Sequence, residues 1–250
     1  MEDYVIAEEY TLPSKGMVYD QKVNPDIKIR SMTTEEEMKR LSKTDSPYKM
    51  LSEIIDDCLV VKPGINTYDM CIADYQFLLH KLRTVTYGAD YKVNNICPIC
   101  GSLNEDVINL EDLKVSQYSD ELDKYKHITL PMTKKLIDLR MQTPRMLDDI
   151  NRKAKELSSK SPNMKSDPAF LFSLKSMIDK VDGEKMDDVK LEQFLRHLPM
   201  KDTNYIIRSM QKLNLSLGVD TIVTNTCKSC GGEYTTTFPI TDEFFGPSID

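Results

Sequence analysis

Two Cys-x-x-Cys-Gly segments constrain this chain more than anything else in it: Cys97-Pro98-Ile99-Cys100-Gly101 and Cys227-Lys228-Ser229-Cys230-Gly231. Four thiolates are the ligand set of a tetrahedral structural zinc site. The glycine after each pair lets the backbone fold back toward a metal without a Cβ clash. Four cysteines fill the coordination shell and leave no position for substrate. The spacing therefore predicts one structural Zn2+ per chain, held by Cys97, Cys100, Cys227 and Cys230. The Cys-Pro-x-Cys form of the first pair also occurs in redox motifs, but these sit at helix N-termini. Here Gly101 and polar residues follow, and a redox reading leaves the second pair unexplained. Cys58 and Cys71 fall on apolar helix faces and read as small buried hydrophobes.

The knuckles also mark an internal repeat. One offset aligns Tyr75 with Tyr205, Gly88 with Gly218, Val93 with Val223, Asn95 with Asn225, and then both cysteines and the glycine. Thr11-Leu12-Pro13 is echoed by Thr129-Leu130-Pro131, and Ile29-Arg30 by Leu139-Arg140, at other offsets. The unit is too long for a solenoid. The expected fold is α+β: two related, mainly helical half-domains, 1–115 and 116–250, each ending in a β zinc knuckle. The shared four-cysteine site staples them, which makes metal binding part of the folding energy.

A chain of 250 residues can bury a core without a metal, so zinc is needed for arrangement rather than bulk. The net charge of -7 argues against nucleic acid, whose binders carry a basic footprint. The first residues, MEDYVIAEEYTLPSKG, lack the basic and apolar regions of a signal peptide. No apolar run reaches membrane-spanning length. The expectation is a soluble chain made in a reducing compartment, where such cysteine pairs hold metal more often than they form disulfides.

Along the chain, strands and turns are expected from Tyr4 to Arg30. Thr33 to Glu37 reads as a helix start with a Thr cap and acids in the first turn. Helices follow at Pro47–Val60 and Tyr68–Thr84, with strands at Tyr91–Ile96 and Asp106–Leu110 around the first knuckle. The second half reads as strands at His127–Leu130 and Lys135–Arg140, and a helix at Pro144–Leu157. A helix from Phe170 to Ile178 and a tight turn at Asp182-Gly183 come next. Helices at Asp187–His197 and Lys201–Leu213 then lead to strands at Thr221–Asn225 and Glu233–Pro239 around the second knuckle.

No catalytic constellation emerges. Gly-x-Ser-x-Gly, His-Glu-x-x-His and P-loop patterns are absent. His80, His127 and His197 stand alone and read as surface or capping residues. Glu35-Glu36-Glu37 and Asp148-Asp149 read as solvated helix faces. An interaction protein is expected rather than an enzyme. Adjacent Phe244 and Phe245 near the terminus are assigned as partner-binding anchors, with packing onto their own chain as the competing reading.

The order of motifs resembles a known family. Leu12-Pro13-Ser14-Lys15-Gly16 with Tyr19 precedes Ile27-x-Ile29-Arg30-x-Met32-Thr33 with Glu36-Glu37. Asp74 with Leu78-Leu79 and Leu82-Arg83 follows, then Tyr87-Gly88 and the first knuckle. Asp182-Gly183, Leu198-Pro199, the second knuckle and Phe244-Phe245 with Pro247 complete the series. This resembles the baseplate hub proteins of T4-like contractile-tailed bacteriophages, including hub assembly factors. The resemblance implies a non-enzymatic role in building the tail baseplate through contacts with other baseplate hub proteins. It places the chain in the host cytoplasm during assembly or in the virion tail. The reading from another class is a zinc-ribbon nucleic-acid-binding or transcription accessory protein.

Overall fold

The computed structural model describes residues 6–160, 167–237 and 242–245. The chain opens with β1 (Ala7–Thr11) and β2 (Asp26–Arg30), then α1 (Thr34–Arg40), α2 (Pro47–Cys58) and β3 (Leu59–Val61). A 3-10 turn at Thr67–Asp69 leads to α3 (Ile72–Tyr87) and the hairpin β4 (Asp90–Ile96) and β5 (Leu103–Asn109). After β6 (Val115–Ser116) and α4 (Leu122–Lys126) come β7 (His127–Thr129), β8 (Leu136–Leu139), α5 (Pro144–Lys160), α6 (Pro168–Met177) and β9 (Ile178–Val181). The chain closes with α7 (Asp188–Arg196), α8 (Met200–Leu215), β10 (Gly218–Val219) and the hairpin β11 (Ile222–Thr226) and β12 (Glu233–Thr237).

Two three-stranded antiparallel sheets, β1-β2-β3 and β7-β8-β9, share one plan. In each, a hairpin is joined through two helices by a third strand that follows directly on a helix. In each, the central strand shifts register at the same place, between Lys28 and Ile29 and between Asp138 and Leu139. The expected helices at 47–60 and 170–178 thus end early. Their last residues leave the helix because Leu59 pairs with Ile29 and Ile178 with Leu139. Such pairing over a long stretch of chain is invisible to local periodicity.

The Leu-Pro turns are also alike. Lys15 and Lys134 both adopt positive φ, 52° and 60°. Each turn is fastened to an aspartate at the third position of a sixteen-residue helix. Asp74 accepts from Ser14 N, Ser14 Oγ and Tyr19 Oη at 3.0, 2.5 and 2.7 Å. Asp202 accepts from Met132 N, Thr133 N and Thr133 Oγ1 at 2.8, 2.9 and 2.8 Å. Both carboxylates are buried. Tyr75 and Tyr205 are not counterparts by this alignment. Tyr75 is the fourth residue of α3 and buried; Tyr205 is the sixth of α8 and exposed. Ser216 and Leu217, between α8 and Gly218, absorb the offset.

Among the described residues two large cores form, with a small third cluster at Cys97, Cys227 and Tyr234, and the chain crosses between the large ones. The first gathers Ile27, Ile29, Ile54, Ile55, Leu78 and Leu82, and takes Phe244 and Phe245 from the far end. The second gathers Ile137, Leu139, Ile206, Met210 and Leu213, and takes Cys71, which caps the start of α3, and Ala73 of α3. The expected divide at 115/116 falls inside β6, which pairs with β10. Asp148 of α5 accepts from Lys49 N at 2.9 Å and Tyr68 Oη at 3.1 Å, so it caps α2 across the molecule. It is buried, not solvated. Glu36 is likewise buried, in a capping box with Thr33 and an ion pair with Arg30 at 2.5 Å. The Arg30 hydrogen bond is the main reason its carboxyl is held down at about 2. His80, expected on the surface, is 1% exposed, because α3 is covered on nearly every side.

Candidate metal centre

Each cysteine pair lies in the loop of a two-stranded hairpin, and the two loops fold identically. Cys97 N donates to Ser102 O and Gly101 N to Cys97 O, both at 2.9 Å. Cys227 N donates to Gly232 O and Gly231 N to Cys227 O, again at 2.9 Å. Gly101 and Gly231 have φ of 73° and 71°, a region open to glycine at no steric cost. The hairpins meet at their tips, where a Cβ on Gly232 would lie 2.5 Å from Ile99 Cδ1.

The meeting brings all four predicted sulfurs together, within 4.8 Å of one another. Cys97 Sγ is 3.9 Å from Cys230 Sγ, and Cys100 Sγ is 3.6 Å from Cys227 Sγ. Zn–S bonds of about 2.3 Å at tetrahedral angles put sulfurs about 3.8 Å apart. A disulfide needs about 2.05 Å. The donor set and its spacing thus fit a tetrahedral metal. Cys97 and Cys227 are buried, while Cys100 and Cys230 face solvent.

The surroundings favour thiolate at Cys227 and Cys100. Ile99 N points at Cys97 Sγ from 3.4 Å. The Ser102 hydroxyl and then the Cys230 backbone pull Cys227 down to about 5, and Ser102 also lowers Cys100. Cys230, despite the Gly232 backbone, is pushed up to about 11 by the sulfurs of Cys100 and Cys227. Crowded sulfurs cannot all ionise unaided, and a bound dication removes that conflict.

Sequence reasoning missed the residues behind the sulfurs. Asn104, 2% exposed, reaches Cys227 Sγ with Nδ2 at 3.6 Å and accepts from Lys228 N with Oδ1 at 2.9 Å. It therefore joins the first hairpin to the second knuckle. Its only signal was a polar residue on the inward face of β5. Cys58 and Cys71, as expected, are buried thiols, each pushed up to about 12 by desolvation first of all.

Of the two readings of Phe244 and Phe245, their burial favours packing onto the chain's own core. They are 0% and 1% exposed. Phe244 lies 5.1 Å from the Tyr91 ring and near-parallel to His80 at 6.4 Å, and Arg83 Nε donates to its carbonyl at 3.0 Å. Two aromatic side chains are worth more in the chain's own core than in water.

The chain matches the family described as T4 bacteriophage base plate protein over residues 5–246. No curated protein and no solved structure gives a match. With nearly its whole length matched, the chain belongs to the T4 bacteriophage base plate protein family.

Proposed function

We propose that this baseplate-family protein is a non-enzymatic component or assembly factor of the tail baseplate hub, acting through contacts with other baseplate proteins. One observation carries the reading. The four cysteines converge from two distant hairpins and would spend every coordination position of a zinc ion on holding those hairpins together. The buried carboxylates Asp74, Asp148 and Asp202 are likewise occupied in fastening turns and helix ends. The reading extends to architecture. The repeated sheet plan, the paired Leu-Pro turns and the matching knuckles support two related half-domains that a shared Zn2+ staples at their tips.

Co-expression with the tail baseplate proteins, followed by pull-down, tests the function. Retention of defined hub proteins through a salt wash is expected. Loss of all of them, together with salt-dependent binding to DNA or RNA, would replace this reading with the nucleic-acid one.

A further inference from the structure

One ion pair of the first sheet has no counterpart at the second among the described residues, and a cavity lies at that place. Arg30 follows Ile29, which pairs with Leu59; its guanidinium donates to Asp57 O at 3.1 Å and pairs with Glu36 of α1. Arg140 follows Leu139, which pairs with Ile178; its guanidinium donates to the corresponding carbonyl, Ser176 O, at 3.3 Å. It also reaches Ile178 O at 3.1 Å. The third helical residue after Arg30 is Glu36; the third after Arg140 is Met146. Arg140 therefore keeps the carbonyl contacts of its counterpart but has no carboxylate partner among the described residues.

Beside it is a cavity of about 290 Å³ between α5, α6 and α7. Met146, Ile150 and Phe172 give it apolar walls, and Arg140 and Lys153 line it as cations. Asp149, Asp188, Glu192 and Lys175 line it too. Asp149 is paired with Arg152 at 2.8 Å, Asp188 with Lys175 at 2.7 Å, and Glu192 with Arg196 at 2.8 Å. Lys175 also reaches Glu192 at 3.3 Å, and Arg152 also reaches Glu156 at 3.1 Å. Among the described residues, none of these carboxylates pairs with Arg140 or Lys153.

The helix forming one wall is under-covered. Pro168–Met177 reads PAFLFSLKSM, yet only Leu174 is buried, and Phe170 is 46% exposed. A helix apolar on most sides is ordinarily buried. Its counterpart α2 has six buried residues and is covered by α5, which presents Leu147 to the first core and Asp148 to the α2 amides. The chain thus carries its own example of how such a helix is covered: by another helix presenting an apolar side chain next to a carboxylate.

We infer that the α5–α6–α7 cavity docks an amphipathic, acid-bearing helix of a neighbouring baseplate subunit. An apolar residue of that helix packs on Phe172, Ile150 and the exposed side of α6. Its carboxylate takes the place at Arg140 that Glu36 takes at Arg30, with Lys153 at the rim. This rests on the baseplate reading for the source of the helix.

The probe is a labelled synthetic amphipathic helical peptide with a Leu-x-x-Glu stripe, titrated against the full-length, zinc-loaded chain by fluorescence anisotropy at low salt. A twin peptide carries Gln for Glu. Saturable binding of the Glu peptide is expected, with at least tenfold weaker binding of the twin. Lys153→Glu, at an exposed position, should weaken binding several-fold without altering the circular dichroism. Met146→Glu restores the internal carboxylate and should abolish binding in a chain at least as thermostable; Met146→Gln should leave binding in place. Absence of binding, indifference to the Glu–Gln exchange, or undiminished binding to Met146→Glu each overturns the inference. Co-purification with baseplate proteins separates the two readings. If wild type and Met146→Glu retain the hub proteins equally, this docking site is wrong and the baseplate role stands. If wild type retains none, the role itself fails whatever the peptide does.

Discussion

Replacing Phe244 with alanine tests how the far end of the chain is held. The side chain is fully buried in the first core and contacts Tyr91, His80 and Phe245. Truncating a buried phenylalanine costs about 3–5 kcal/mol, part transfer and part cavity. For a domain of this size each kcal/mol lowers the melting temperature by about 2–4 °C, so the expected drop is roughly 6–20 °C. Arg83 adds to the loss. Its guanidinium is buried, donates to the Phe244 carbonyl, and holds Gly88 O at 2.5 Å and Asp90 O at 3.2 Å. A displaced tail leaves a buried cation short of an acceptor, which is costly in its own right. Removing residues 242–250 should therefore destabilise at least as much as Phe244→Ala. Thermal unfolding of the zinc-loaded protein by circular dichroism gives the number, with Phe170→Ala as an exposed aromatic control. A drop below about 2 °C for Phe244→Ala, or one no larger than that of the control, would refute self-packing and return the tail to the role of a docking element.

Metal analysis should give one zinc per chain; two, or none with four free thiols, sinks the shared site. Replacing Cys97, Cys100, Cys227 or Cys230 with serine should each release the metal and markedly destabilise the fold, while Cys58→Ser costs only the burial of a hydroxyl. His80 is buried and desolvation pulls it down to about 4, so between that value and 6.5 the unfolded chain takes up a proton the folded chain refuses. Stability should therefore fall by about 3 kcal/mol more in wild type than in His80→Leu as pH drops from 7 to 4; parallel denaturation curves for the two proteins would contradict this. At Gly16, φ is +74° and an added Cβ would lie 2.6 Å from the Val23 carbonyl oxygen, whereas Gly64 has φ +85° and open space. Gly64→Ala should cost about 1–2 kcal/mol of backbone strain and Gly16→Ala clearly more; equal chemical-denaturation midpoints would show that the close approach has no consequence.

What could be read in the sequence is what local chemistry dictates. The knuckles, the Thr33 cap, proline at the start of α5 and the Asp182-Gly183 turn, with φ of 52° and 81°, need no knowledge of distant neighbours. What escaped depends on partners far along the chain. Strands β3 and β9 extend apolar helical patterns by a few residues and are strands only because β2 and β8 lie beside them. Asp148 and Glu36 look like solvated acids until the amides of α2 and the guanidinium of Arg30 are brought to them. His80 sits among Lys81 and Arg83, which suggests solvent, yet Phe244 arrives from the other end to cover it.

The repeated plan offers a way to separate scaffold from function within one chain. Polar groups that recur around both sheets and both knuckles with the same geometry are explained by the fold alone. The aspartates gripping the Leu-Pro turns and the hydrogen bonds of the two knuckles belong to this class. Departures from the plan need a further cause. Asn104 stands across from Lys228 and the Cys227 sulfur because two hairpins of unlike sequence must meet at one centre. Asp148 departs because α5 crosses to cap α2, and that contact is satisfied within the chain. Met146 opposite Arg140 is different. Among the described residues it leaves Arg140 without a carboxylate partner, beside a cavity of mixed lining and a helix more exposed than its composition suits. A half-buried guanidinium held only by backbone carbonyls makes less than the charge-assisted pairing open to it. A partner that brings a carboxylate would complete that pairing on docking. The same carboxylate, supplied internally by Met146→Glu, should stabilise the free protein and close the site, so one substitution tests both halves of the argument.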